Sequence, residues 1–180
     1  MSHTLASAAL AAGMLAASIG LTATETAAQG KGQAEAQNQS TLATYRNERH
    51  GFTVGYPTQF IALPAASEDA RLFVSNDDKA RLLVGSLENS DNKTVAQYQQ
   101  FLLRESYAGA TVTYAPLRDK WFVLSGVRNG TSFYQRVSFT CGGRKIVSWA
   151  MLFPEGQKAT YEPIIEQVHR SYTVSDRNCS

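Results

Sequence analysis

Residues 121–153 read WFVLSGVRNGTSFYQRVSFTCGGRKIVSWAMLF, and this stretch decides the fold. Asn129-Gly130 lies between two runs of apolar, β-branched and aromatic residues. That pair suits a type I′ hairpin turn, whose two central residues both need positive φ. Gly142-Gly143 marks a second reversal, so the spacing predicts three consecutive antiparallel strands. They carry two Trp, four Phe and five Val or Ile residues, enough apolar surface to form the middle of a core rather than its edge. In the third strand Val147, Trp149, Met151 and Phe153 fall on one side and Ile146, Ala150 and Leu152 on the other. Both faces of the sheet should therefore be covered.

Working outward, residues 70–75 and 80–87 are apolar runs joined by Asn76-Asp77-Asp78-Lys79, which predicts a hairpin. Upstream, 45–57 should supply a short strand, a turn at His50-Gly51 and a second strand over 52–56 that ends at Pro57. Residues 111–117 form a further strand leading through Arg118-Asp119 into the central three. Between the hairpin and that strand the periodicity changes. Thr94 can cap a helix in which Val95, Tyr98, Phe101 and Leu102 share one face, running to about Tyr107. Tyr161, Ile164, Ile165, Val168 and Tyr172 form the apolar stripe of a second helix, with Pro163 expected in its first turn. The predicted architecture is α+β: an antiparallel sheet of about six to eight strands covered by two main helices.

The chain has 180 residues, 43% hydrophobic and 18% charged, with a formal charge of +2. These values fit one globular domain preceded by a targeting segment. Arg46, Arg49, Arg71, Arg81, Arg104, Arg118, Arg128, Arg136, Arg144 and Lys145 are scattered rather than clustered, so no nucleic-acid footprint is expected. Residues 5–21 are nearly all small or apolar, and Thr26-Ala27-Ala28 follows with side chains a signal peptidase accepts. Residues 1–28 are read as a signal peptide. Gln- and Ala-rich 29–44 is read as a linker, 45–174 as one domain and 175–180 as a tail. With no Lys or Arg ahead of the apolar run, retention as an anchor is the alternative. After signal removal no stable membrane span is expected, and the location is periplasmic or secreted.

The segments NERHGFTVGYPTQF, WFVLSGVRNGTSFYQRVSF, WAMLFP and YEPIIEQVHRSY, in that order, resemble the PsbP-like fold as it occurs in small secreted bacterial proteins. The resemblance spans about 45–172. The fold includes an extrinsic photosystem II subunit, a Ran-binding import factor and bacterial envelope proteins. It therefore implies an accessory or binding role without catalysis, and it carries no set of functional residues to transfer.

Two cysteines in an exported chain invite a bridge between Cys141 and Cys179, which would tie the tail to the end of a core strand. Neither His50 nor His169 is accompanied by the further ligands that a metal needs, and no cofactor is implied. Ser125 and Ser138 lack a nucleophile turn and assignable partners. Asp77, Asp78, Glu88 and Asp91 do not follow calcium-loop spacing and suit solvated turns. Tyr134 and Arg136 share the less apolar side of a central strand, and Arg128 could join them across the Asn129-Gly130 hairpin. Aromatic plus arginine is a common binding composition, so these three are the expected contact residues. The reading is an exported non-enzymatic binding protein of the bacterial envelope with an unknown protein partner or small ligand. A hydrolase-type enzyme with a dispersed active site is the alternative.

Overall fold

The structure, a computed structural model, describes residues 41–63, 68–176 and 179. The expected signal peptide and nearly all of the expected linker lie outside these residues. A seven-stranded antiparallel sheet is built from β3 (Phe60–Leu63), β4 (Ala70–Ser75), β5 (Arg81–Glu88), β6 (Thr111–Tyr114), β7 (Trp121–Arg128), β8 (Thr131–Thr140) and β9 (Lys145–Pro154). Its order is β3-β4-β5-β9-β8-β7-β6. A small sheet of order β1-β2-β10 joins β1 (Leu42–Asn47), β2 (Phe52–Pro57) and β10 (Thr173–Val174). The helices among the described residues are α1 (Val95–Glu105) and α2 (Lys158–Ser171).

The central meander forms as its turns dictate. Asn129 and Gly130 take φ of 51° and 74°, and Arg128 pairs with Thr131 across them. The β7–β8 and β8–β9 ladders then run without a slip from Trp121↔Ser138 to Arg128↔Thr131 and from Thr131↔Pro154 to Thr140↔Lys145. This register fixes which side chains meet. On one face Val147, Trp149, Met151 and Phe153 pack with Phe73, Leu82 and Val84 under α2 and β2. On the other, Phe122, Leu124, Phe133, Val137, Phe139 and Ile146 pack under α1. Cover on both faces is thus what the alternation of apolar residues implied.

α1 begins with a capping box. Thr94 Oγ1 accepts from the Gln97 N–H at 3.2 Å, and Gln97 Oε1 accepts from the Thr94 N–H at 2.9 Å. α2 buries Tyr161, Ile164, Ile165 and Val168. It starts earlier than the sequence suggests, so Pro163 lies in the second turn, inside the helix, rather than in the first. There its missing N–H leaves the Ala159 carbonyl without its helical donor.

Four strands also differ from expectation. β1 begins at Leu42, inside the segment read as linker. β6 ends at Tyr114, after which Leu117 makes one isolated bridge to Phe122. β3 was not anticipated, because a four-residue edge strand with Ile61 and Leu63 exposed has no readable alternation. β10, two residues on the edge of β2, closes the segment read as the domain, past the stripe of the last helix, and is too short to show a period.

Candidate functional site

Tyr134 and Arg136 do share a face, as alternation requires, but α2 lies across them. The Arg136 Nη1 donates to His169 Nε2 at 3.3 Å, and His169 Nδ1 lies 3.1 Å from the Tyr134 hydroxyl. A guanidinium only donates, so Nε2 is the acceptor and the imidazole proton sits on Nδ1, directed at Tyr134. Tyr134 also stacks on Trp149 at 5.2 Å, and the Arg136 guanidinium stands 4.1 Å from the Trp121 ring centre. The open strip expected from sequence is instead a seam joining the sheet to the end of α2. Arg128 is not part of it. It pairs with Thr131 on the opposite face, where its Nη1 donates to the Ser106 carbonyl at the end of α1, at 2.8 Å.

Burial and the neighbouring Arg136 both hold the His169 pKa below its ordinary 6.5. The folded protein therefore takes up this proton less readily than the unfolded chain. The stability tied to neutral His169 is complete above about pH 6.5 and declines as pH falls from there toward the depressed folded-state pKa. His169→Gln removes the titrating group. In thermal melts from pH 8 to pH 5, the wild type should lose more stability between the two ends than the variant. Parallel pH profiles would show that this histidine is not linked to folding.

A second histidine pairing was not legible in the sequence. His50 Nε2 contacts the Asp69 carboxylate, and this hydrogen bond is the main cause holding Asp69 below its ordinary pKa. An imidazole oriented by a carboxylate is half of a hydrolytic triad. Here, however, the other nitrogen, Nδ1, is buried without a hydrogen-bond partner, so the atom that would act as base is closed to substrate. Of the four acidic residues, Asp77 and Asp78 lie in the β4–β5 turn, while Glu88 ends β5 and Asp91 lies beyond it. Asp77 caps the β4–β5 turn, accepting from Ser75 Oγ at 2.6 Å and from the Lys79 N–H at 3.2 Å. Asp91 lies beyond the far end of β5 and pairs with Lys93.

A groove of about 690 Å³ opens where four segments converge: the approach to α1, the loop before β7, the β8–β9 turn and the tail. Its floor includes Val95, Leu117 and Phe139. Its cations are Lys93, Arg118, Lys120 and Arg144, against the acids Asp119 and Asp176. Asn89, buried, ties two of these segments together. Its side chain donates to the Lys93 and Gly143 carbonyls at 2.9 and 2.8 Å and accepts from the Lys93 N–H at 3.0 Å. The β8–β9 turn has Cys141, Gly142 and Gly143 at φ of 56°, 65° and 89°. Three successive left-handed residues suit glycine at the last two, while Cys141 is held there by its bonds.

Those bonds join the turn to the tail. Cys141 and Cys179 form the expected disulfide, with Cα atoms 5.2 Å apart. The Cys141 N–H donates to Asp176 Oδ1 at 2.8 Å, and Arg144 donates to the Cys141 and Cys179 carbonyls at 3.2 and 3.1 Å. The two sulfurs and Asp176 lie close together, but bonded sulfurs are not thiolate ligands for a metal. Lys120 is exposed, with no ion-pair partner among the described residues, and Arg118 is exposed over the Trp121 ring. No helix among the described residues is long and apolar enough to cross a membrane.

No family model matches the sequence, and no curated protein does. Solved structures match in fold. Cyanobacterial PsbP (CyanoP) from Synechocystis sp. PCC 6803 aligns with a TM-score of 0.57 at 18% identity, covering 76% of this chain and 94% of that one. The Saccharomyces cerevisiae Ran-binding protein Mog1p aligns with a TM-score of 0.59 at 12% identity, covering 78% and 99%. The sequence-level resemblance is thus matched in fold and extent: the described domain has the PsbP/Mog1-like α+β fold.

Proposed function

We propose that this is an exported, non-enzymatic accessory or binding protein of the bacterial envelope, which holds a partner in the groove between α1 and the β8–β9 turn. The observation that carries the reading is the convergence there of cations from separate segments around an apolar floor. Asn89 and the Cys141–Cys179 bridge hold that surface in shape before any partner arrives. A disulfide is consistent with an extracytoplasmic location. The fold supports binding, since one protein that shares it is a Ran-binding protein. The closed geometry of His50 argues against the hydrolase alternative. In this reading Tyr134 and Arg136 hold α2, and Arg128 holds the end of α1.

Affinity capture from envelope extract tests the proposal. The bait is the exported protein, its N-terminus sequenced first and expected near Gln29. Wild type and Tyr134→Phe should capture the same protein. Arg118→Glu with Lys120→Glu should lose it at an unchanged melting temperature, because both side chains are exposed. Equal capture by the charge-reversed variant would move the binding surface away from the groove.

A further inference from the structure

We infer that the groove accepts an acidic peptide segment of another protein, recognised through its side-chain carboxylates. This rests on the groove being the binding surface, as proposed above, and adds the chemistry of what it takes. Charge is the first argument. Lys93 is paired with Asp91 and Arg144 is turned toward two carbonyls, but Lys120 stands exposed at the loop before β7, and Arg118 beside it is exposed although one of its nitrogens donates to the Leu117 carbonyl at 2.9 Å. With Asp119 between them, they leave this wall a net positive charge that steers carboxylates.

The second argument is that the groove already seats a carboxylate. Asp176, supplied by the protein's own tail, lines it and accepts the Cys141 N–H at 2.8 Å. A backbone turn of successive left-handed residues presents such N–H groups to anions.

Size and floor select a peptide over a small anion. A space of about 690 Å³ lies well within the range that encloses ligands of many atoms, whereas a lone phosphate would leave the Val95 and Leu117 surface wet. Single-stranded nucleic acid is a poorer fit, since base stacking needs open aromatic faces. Phe139 is buried, and the Trp121 ring is faced by the Arg118 and Arg136 guanidinium groups at 5.8 and 4.1 Å.

The test is an amide-resonance titration of the exported protein with three probes: acetylated and amidated hexaglutamate, the matching hexaglutamine, and inorganic phosphate. Hexaglutamate should shift the amides of Thr94, Val95, Lys120, Gly143 and Arg144. Its affinity should fall about tenfold or more in the Arg118→Glu, Lys120→Glu variant, and steeply with added salt. Equal shifts from hexaglutamine would overturn the acidic specificity while leaving the groove as a peptide site. Phosphate shifting the same amides as tightly as hexaglutamate would reduce it to a simple anion site and overturn the peptide. No response to any probe at the groove would overturn the inference. Failure of the functional reading would show instead as capture from envelope extract that ignores the charge reversal.

Discussion

Trp149→Ala should lower the melting temperature by roughly 10–20 °C, the largest single-residue effect expected from this structure. Trp149 is 1% exposed at the middle of β9. It stacks on Tyr134 at 5.2 Å and meets His169 and Tyr172 edge-on at 6.5 and 6.4 Å. Truncation removes the indole and opens a cavity beneath α2 that the ladders on either side prevent from collapsing, a loss of about 3–5 kcal/mol. Trp149→Phe keeps an aromatic face for Tyr134 and should cost much less. Differential scanning calorimetry of the three proteins checks the ranking. A drop of only a few degrees for the alanine variant would mean that α2 is held by other contacts than this seam.

Breaking the Cys141–Cys179 bridge should produce the second large effect. The cysteines are 38 positions apart, and for a loop of that size the chain-entropy model sets a ceiling of about 4 kcal/mol. The observed loss should fall below this ceiling, since a released tail regains freedom in the folded state too. Cys179→Ser should leave the β7–β8–β9 meander intact, because its ladders do not involve the bridge. The β8–β9 turn should loosen, because Cys141 at φ 56° would lose the covalent tie that supplements its hydrogen bonds to Asp176 and Arg144. Denaturant melts with hydrogen exchange would show both outcomes: a lower midpoint, and lost protection at 141–144 and after 174. Equal stability with and without reductant would show that the bridge contributes nothing to folding.

How much of this could be read from the sequence depends on how local each signal is. Asn129-Gly130 and the alternation of Ile146 to Phe153 are local, and they located the central meander and its two covered faces. The stripes of α1 and α2 are local as well. The short edge strands β3 and β10 are not, because two to four residues at the margin of a sheet carry no period. Tyr134 and Arg136 show where alternation stops being enough. It places them together, but what lies over them is His169, supplied 33 to 35 residues later by a helix whose docking angle no local pattern encodes. His169 follows Val168 at the edge of the α2 stripe, and that edge is where it meets the seam. Arg128 fails the same parity rule that unites the other two, since it lies three residues, an odd step, along β7 from Ser125, the residue opposite Tyr134, and so falls on the other face. The cysteine pair was legible because compartment and count suffice to suggest it. The groove was not, since Asn89, Lys120, Gly143 and Asp176 come from four separate stretches and none belongs to a motif.

The claim that the groove holds a protein partner is tested most directly by a photo-crosslinking residue placed at position 120, with position 158 on α2 as the comparison. Both side chains are exposed, and Lys158 does not line the groove. Irradiation of intact cells should yield a discrete higher-mass adduct from position 120 and none from position 158. Adducts from both positions alike, or from 158 alone, would contradict the assignment of the groove as the binding surface.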